Sequence, residues 1–232
     1  IIYGAYVTLM QKDMKRLIAY SSVSHMGFVT LGLFTLNQNG IEGSILQMIN
    51  HGVITGALFL CVGMIYERTH SRIIKDYGGL SKTVPVYTVF FTIFTLAAIG
   101  LPGMNAFVGE FLIISGAFKA NMIIAVLSIL GIVLGACYMV WLYYRVALNE
   151  INTTTQSSLI DLDLREIATL APLVLLVLLI GLQPNMLLSY MHVSVEHLLE
   201  QLHNSSIQLE SNNAYDTLDS IAKYIKALFK WV

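Results

Sequence analysis

Charged residues are scarce in this sequence. Asp, Glu, Lys and Arg make up 12% of the chain, whereas 56% of the residues are hydrophobic. Soluble globular domains carry about 25% charged residues, so this composition excludes that class and indicates a polytopic membrane protein. The formal net charge is −1 and the 13 basic residues are scattered along the chain. That distribution argues against a nucleic-acid partner.

Cysteine and nucleotide-binding motifs are also lacking. The 2 cysteines, Cys61 and Cys137, lie in apolar stretches and form no Cys-x-x-Cys pair. They cannot build a zinc or iron–sulfur site by themselves. The sequence contains neither G-x-G-x-x-G nor a phosphate-binding loop motif, so no nucleotide site is indicated. We therefore expect no cofactor-binding and no metal-binding residues in this chain.

Apolar segments long enough to cross a bilayer recur along the chain. A spanning helix needs about 20 apolar residues, and such segments occur at residues 17–41, 43–66, 83–118, 120–144 and 167–191. Residues 37–40 are expected to form the exit turn of the first segment, and Pro172 and Pro184 can bend or end the last one. Residues 1–10 are too short to span and indicate the end of one more helix. The sequence thus predicts an all-α membrane bundle of about five full transmembrane helices plus the end of one more. Lys and Arg concentrate in the connections on one side, which predicts that this side faces the cytoplasm or matrix.

Residues 83–118 are too long for one straight span. As a continuous helix they would extend about 50 Å at roughly 1.5 Å per residue, while the bilayer core is about 30 Å thick. Leu101-Pro102-Gly103 lies inside this segment, and proline removes a backbone donor and clashes with the preceding turn. We expect a discontinuous helix, broken at these three residues.

Glu110 is the only charged residue of this segment, about two turns after the break. A charge at membrane depth is costly and commonly marks an ion or proton path. His25 and His51 are two further ionisable residues inside predicted spans, and histidine can accept and pass on a proton near neutral pH. Side chains suited to hydrogen-bonded water accompany them: Ser24, Asn50, Thr55 and Tyr138.

A structural interpretation of these residues remains open. A single intramembrane histidine is more often a packing residue than a relay, and Glu110 can instead reach the interface or pair structurally. Three ionisable groups on three consecutive spans favour a proton path through Glu110, His51 and His25. Sequence periodicity cannot show whether the three converge.

Residues 192–232 differ in composition from residues 1–191. Near the end of the chain, apolar residues recur at helical spacing opposite lysines, a pattern typical of a helix lying on a membrane surface or on a partner subunit. We therefore divide the chain into a transmembrane bundle, 1–191, and a polar or amphipathic tail, 192–232.

Several stretches resemble the antiporter-like membrane subunits of respiratory complex I, the proton-pumping NADH–ubiquinone oxidoreductase. Ser24-His25-Met26-Gly27 and Tyr66-Glu67-Arg68 are most similar to its chain 4 branch. The other stretches are residues 12–23, Asn50-His51-Gly52, residues 58–65, Tyr77-Gly78-Gly79-Leu80, Leu101-Pro102-Gly103 and residues 107–111. The resemblance covers roughly residues 5–200.

The resemblance implies a C-terminal portion of a larger subunit, with Leu101–Gly103 in the family's discontinuous helix and Glu110 as its key carboxylate. His25 and His51 would lie on a central hydrated axis. The chain would carry part of a proton path driven by electron transfer from NADH to ubiquinone. FMN, iron–sulfur clusters, NADH and ubiquinone would bind other subunits, so that this chain is a subunit of the enzyme without a redox centre.

The resemblance also implies partners and a location. The partners would be other membrane-arm subunits and lipids. The sequence starts at Ile1 inside an apolar run and lacks the family's N-terminal half, so either a separate chain carries that half or the sequence is only part of the subunit. We expect the mitochondrial inner membrane, with a bacterial plasma membrane as the alternative. Two other functions stay open: a related cation/proton antiporter or membrane hydrogenase subunit, and a scaffold whose polar residues only satisfy one another.

Overall fold

The computed structural model describes residues 1–150 and 159–205, which fold into an all-helical bundle. A 3-10 turn, Ile74–Asp76, follows α3, and one π-helical turn, Tyr144–Leu148, continues α7. The helices in chain order are α1 (Ile2–Leu9), α2 (Met14–Leu33), α3 (Gln38–Thr69), α4 (Leu80–Thr83), α5 (Pro85–Ile99), α6 (Asn105–Ala120), α7 (Met122–Tyr143), α8 (Leu164–Leu182) and α9, helical over residues 185–205.

The predicted all-α membrane bundle is confirmed. Among the described residues, 3 helices are long and apolar enough to cross a membrane: α3, α7 with its π turn, and α8. The 20-residue α2 is not among these three and carries the buried polar residues Ser21, Ser24 and His25. The short helices α5 and α6 follow one another in place of one long span. With α1 as a short preceding helix, this order matches the predicted arrangement.

Two helices end close to the predicted turn and proline positions. The α2 helix ends at Leu33, a few residues before the predicted exit turn, because Asn37 caps the next helix. Its Oδ1 accepts a hydrogen bond from Gly40 N at 3.0 Å, and a side-chain cap of this kind fixes a helix start. The α8 helix ends at Leu182, ahead of Pro184, which cannot continue a helical hydrogen-bond pattern.

The predicted break in the long apolar segment is also confirmed. Gly100 and Gly103 adopt left-handed backbone angles, with φ of 78° and 92°, which glycine tolerates without steric cost. Between them Pro102 prevents the helix from continuing. Leu101 N still finds a partner, donating to Leu96 O at 3.2 Å. The chain can therefore interrupt its helix here and start again with α6.

Close contact between α3 and α6 positions the centre of the bundle. A Cβ atom on Gly43 would lie 2.8 Å from Ile113 N, and one on Gly109 would lie 3.2 Å from the Cα of Gln47. The two backbones approach this closely only because small residues stand at the crossing. As a result Gln47 of α3 packs against α6, the helix that carries Glu110.

An ion pair joins α3 to α8 on the side of the bundle predicted to be rich in Lys and Arg. Arg68, near the end of α3, donates from Nη1 and Nη2 to both carboxylate oxygens of Glu166, at 2.7 and 2.6 Å. Asp161, in the connection before α8, accepts hydrogen bonds from the first backbone N–H groups of α5, those of Val86 and Tyr87. The end of α3 and the start of α8 therefore meet, so these two helices run antiparallel.

The predicted boundary between bundle and tail falls inside α9, because residues 185–205 are helical without interruption. The lysine-bearing amphipathic stretch predicted near the end of the chain lies outside the described residues. The division into 1–191 and 192–232 therefore stays a prediction.

Candidate functional site

Glu110 and His25 form a buried contact at the centre of the bundle. His25 Nδ1 lies 3.1 Å from Glu110 Oε1, and the two residues are 8% and 4% exposed. His25 is on α2 and Glu110 is in the second turn of α6. A carboxylate removed from water needs a partner of this kind, because an unpaired buried charge is very costly.

Tyr138 of α7 contacts the other ring nitrogen of His25. Its hydroxyl lies 3.2 Å from His25 Nε2, and Tyr138 is completely buried. Both nitrogens of the imidazole are therefore engaged, one by a carboxylate and one by a phenol. An imidazole held at both nitrogens can accept a proton on one side and release one on the other.

His51 of α3 lies next to His25 without a direct hydrogen bond between them. The two ring centroids are 5.5 Å apart, at an angle of 40°. Thr55, one turn later on α3, places Oγ1 3.2 Å from the His51 ring nitrogens. Both histidines line a narrow cavity of about 10 Å³, together with Ser21, Gln47, Thr55 and Ala98 among others. This is close to the smallest space that holds one water molecule.

Gln47 belongs to this site, although the sequence reasoning missed it. Its Nε2 donates to Glu110 Oε1 at 3.2 Å, while its buried Oε1 has no hydrogen-bond partner among the described residues. Gln47 stands one helical turn before His51, so both side chains lie on one face of α3. That spacing was the signal that could have identified it.

The helix break lies directly beside the carboxylate. A Cβ atom on Gly100 would lie 3.0 Å from Glu110 Oε2, so the glycine leaves room for the carboxyl group at the end of α5. Asn50 of α3 supports the restart of the helix. Its Nδ2 donates to the backbone O of Asn105 at 2.7 Å, and Asn105 Nδ2 donates back to Asn50 Oδ1 at 3.2 Å.

One predicted supporting residue does not contact the site. The hydroxyl of Ser24 donates to the backbone O of Ile1 at 2.9 Å, so it joins α2 to the start of the chain. Within residues 1–150 and 159–205, no three His, Cys, Asp or Glu side chains are grouped so that they could hold a metal ion. The site thus combines three ionisable groups, Glu110, His25 and His51, with the hydroxyls of Tyr138 and Thr55 and the Gln47 amide, which are hydrogen-bonded to them.

A helix interrupted inside an apolar bundle, with a buried carboxylate and imidazole beside the interruption, is typical of multi-pass membrane proteins that handle ions or protons within the bilayer. Residues 1–135 match the family described as NADH:quinone oxidoreductase/Mrp antiporter, transmembrane. This chain belongs to that family.

Individual relatives support the same assignment. The chain is 48% identical over 203 residues to NADH-quinone oxidoreductase subunit M of Rhodobacter capsulatus, covering 88% of this chain and 40% of the relative. It is 48% identical over 200 residues to NADH-ubiquinone oxidoreductase chain 4 of Marchantia polymorpha, covering 86% and 40%. The expected resemblance is confirmed, and the chain spans about 40% of the length of these relatives.

A solved structure gives the same result for the fold. A chain in the structure of respiratory complex I from Thermus thermophilus with bound NADH superposes with a TM-score of 0.81 at 35% sequence identity. The match covers 85% of this chain and 42% of that chain.

Proposed function

We propose that this chain is a membrane-arm subunit of NADH:quinone oxidoreductase, respiratory complex I, and that it forms part of a proton path through the membrane. The observation that carries the proposal is the buried 3.1 Å contact between Glu110 and His25 beside the helix break. The names of the relatives at 48% identity, a subunit M and a chain 4, support the choice of enzyme.

In this proposal Glu110 binds a proton and exchanges it with His25. The imidazole is in contact with the carboxylate through Nδ1 and with Tyr138 through Nε2. His51, 5.5 Å away between ring centroids, exchanges protons with His25 through a water molecule in the cavity that both line. Glu110, His25 and His51 thus form the path, while Tyr138 and Thr55 orient the imidazoles.

Moving the proton outward requires energy from elsewhere in the enzyme. Each elementary charge costs about 2.3 kcal/mol per 100 mV of membrane potential. We propose that electron transfer from NADH to ubiquinone in other subunits supplies it, by changing the hydration of Glu110 or a charge close to it. FMN, the iron–sulfur clusters, NADH and ubiquinone would bind those other subunits.

The same proposal places the chain among partners. These are other membrane-arm subunits and surrounding lipids. The location would be the mitochondrial inner membrane or a bacterial plasma membrane, since chain 4 of Marchantia polymorpha and subunit M of Rhodobacter capsulatus are similar to the same degree. Of the two, we favour the mitochondrial membrane.

The test is Glu110→Gln in the assembled enzyme, reconstituted into liposomes. Glutamine keeps the size of the side chain and cannot carry the proton, so the ratio of protons translocated to NADH oxidised should fall. Glu67→Gln is the matched control, because Glu67 is an exposed acid near the end of α3 and its replacement should leave the ratio unchanged. A wild-type ratio in Glu110→Gln would remove Glu110 from the path.

Copurification separates this proposal from the antiporter alternative. A membrane-arm subunit should copurify with NADH-oxidising subunits. A cation/proton antiporter would instead exchange cations for protons without NADH.

A further inference from the structure

A second buried carboxylate lies near the start of α3. Among the described residues, Glu42 and Glu110 are the only acidic residues that are buried, and Glu42 is 7% exposed. It accepts a short hydrogen bond from Gln38 Nε2. Its Oε1 also lies 2.7 Å from His192 Nδ1 of α9. A buried acid paired with an imidazole therefore occurs twice in this bundle.

This second pair reaches the surface, unlike the first. The His192 side chain is 60% exposed, while that of Glu42 is 9% exposed. Gln38 also donates to the backbone O of His192 at 3.1 Å, which fixes the imidazole against the start of α3. One partner thus faces the interior of the bundle and the other faces outward.

The position of the pair along the bundle follows from the helix directions. Arg68 and Glu166 join the end of α3 to the start of α8, so α8 leads back to the end of the bundle where α3 begins. This end is opposite the connections rich in Lys and Arg, which are predicted to face the cytoplasm or matrix. Protons pumped out of the cytoplasm or matrix would therefore leave the bundle at this end.

Glu42 also lies near the central site. It precedes Gln47 by five residues on α3, which is about 7.5 Å along the helix axis at 1.5 Å per residue. Gln47 is hydrogen-bonded to Glu110. Further along the same α3–α6 contact towards this end, Asn39 Nδ2 donates to Ser115 Oγ at 3.1 Å. Polar side chains therefore recur along α3 and the α3–α6 contact, between the level of Glu110 and the end of the bundle where Glu42 lies.

We propose that Glu42 and His192 are a proton-release pair, which receives protons from the Glu110 site and passes them to water at the surface. This inference rests on the proposed function. A proton arriving on the Glu42 carboxylate moves to Nδ1 of His192, so that the O–H bond breaks and an N–H bond forms. The exposed imidazolium then loses a proton to water, and exchange with water restores the starting tautomer.

The test uses the assembled enzyme in liposomes and compares Glu42→Gln and His192→Ala with Glu110→Gln. We expect each variant to lower the ratio of protons translocated to NADH oxidised, by a loss similar to that of Glu110→Gln. The matched controls are Glu196→Gln and His197→Ala, exposed residues of the same helix α9, and they should keep the wild-type ratio.

Chemical rescue separates a relay from a structural contact. Imidazole added on the side where His192 is exposed should restore the ratio in His192→Ala, because it can carry the proton but cannot hold α9 against α3. His192 is largely exposed, so we expect His192→Ala to fold. If Glu42→Gln fails to assemble, His192→Ala still tests the release pair.

The outcomes distinguish the two proposals. A loss in Glu110→Gln together with wild-type ratios in Glu42→Gln and His192→Ala overturns the release pair and leaves the proposed function standing. Loss in His192→Ala without rescue by imidazole also overturns the release pair, in favour of a structural tie between α9 and α3. A wild-type ratio in Glu110→Gln overturns the proposed function, and the release pair with it.

Discussion

Replacing Arg68 with methionine should weaken the contacts that hold together the end of α3, the start of α8 and the start of α5. The Arg68 guanidinium donates to both oxygens of Glu166, to Ile160 O at 2.8 Å and to Met64 O at 2.8 Å. It therefore joins the end of α3 to the start of α8 and to the segment that caps α5. Methionine keeps most of the apolar stem of arginine and removes every one of these donors.

The size of the effect follows from burial. Breaking a buried, hydrogen-bonded ion pair by removing one partner costs about 3–5 kcal/mol. The Arg68 and Glu166 side chains are 20% and 16% exposed, so we expect the lower end of that range, about 3 kcal/mol. For a chain of this size, each kcal/mol lowers the unfolding midpoint by about 2–4 °C. The expected fall is therefore about 6–12 °C.

The measurement is the thermal midpoint of helix loss, followed by circular dichroism on the protein in lipid nanodiscs. Arg72→Met is the matched control: its Nε lies 3.6 Å from Asp13 Oδ2, and its side chain is 44% exposed. An exposed pair of this kind contributes about 0–1 kcal/mol, so the midpoint should fall by no more than about 4 °C. Equal falls in the two variants, or an unchanged midpoint in Arg68→Met, would refute the reasoning.

Two further substitutions test the helix break and the central site. Gly181→Ala should destabilise the bundle by about 1–3 kcal/mol, because the added Cβ would lie 2.3 Å from Gly103 O. The control is Gly63→Ala, whose Cβ would meet no atom within 4 Å. Both are measured by the same circular dichroism experiment, and equal thermal midpoints in the two variants would contradict the packing of Gly181 against Gly103. Tyr138→Phe removes the hydroxyl 3.2 Å from His25 Nε2 at a cost of about 1 kcal/mol. It should lower the ratio of protons translocated to NADH oxidised by less than Glu110→Gln does, and a wild-type ratio would show that the Tyr138 hydroxyl is not needed to orient His25.

The features predicted from the sequence are those that depend on local chemistry. The break at Leu101-Pro102-Gly103 follows from the backbone of proline and from the length of the segment, so it needed no tertiary information. Glu110 was identifiable because a carboxyl group is costly at membrane depth wherever its helix packs. Ser24 was chosen for its hydroxyl, and only the position of the start of the chain shows that this hydroxyl bonds to Ile1 O.

Contacts between distant residues were not predictable in this way. His25 and Glu110 are 85 residues apart in the chain, and Glu42 and His192 are 150 apart. Both pairs depend on how helices rotate and cross, and no period in the sequence fixes that rotation. Gln47 precedes His51 by one helical turn, but its contact with Glu110 depends on how α3 and α6 cross, which the sequence does not show.

The sequence by itself determined that this protein lies in a membrane, that one helix is interrupted and that a single acid follows the interruption, because composition, length and proline act locally. Only the tertiary structure decided which imidazole faces that acid and that a second buried acid reaches the surface through His192. Glycines at the α3–α6 crossing and the Arg68–Glu166 ion pair set those helix positions. These residues act through close packing between helices that are far apart in the sequence.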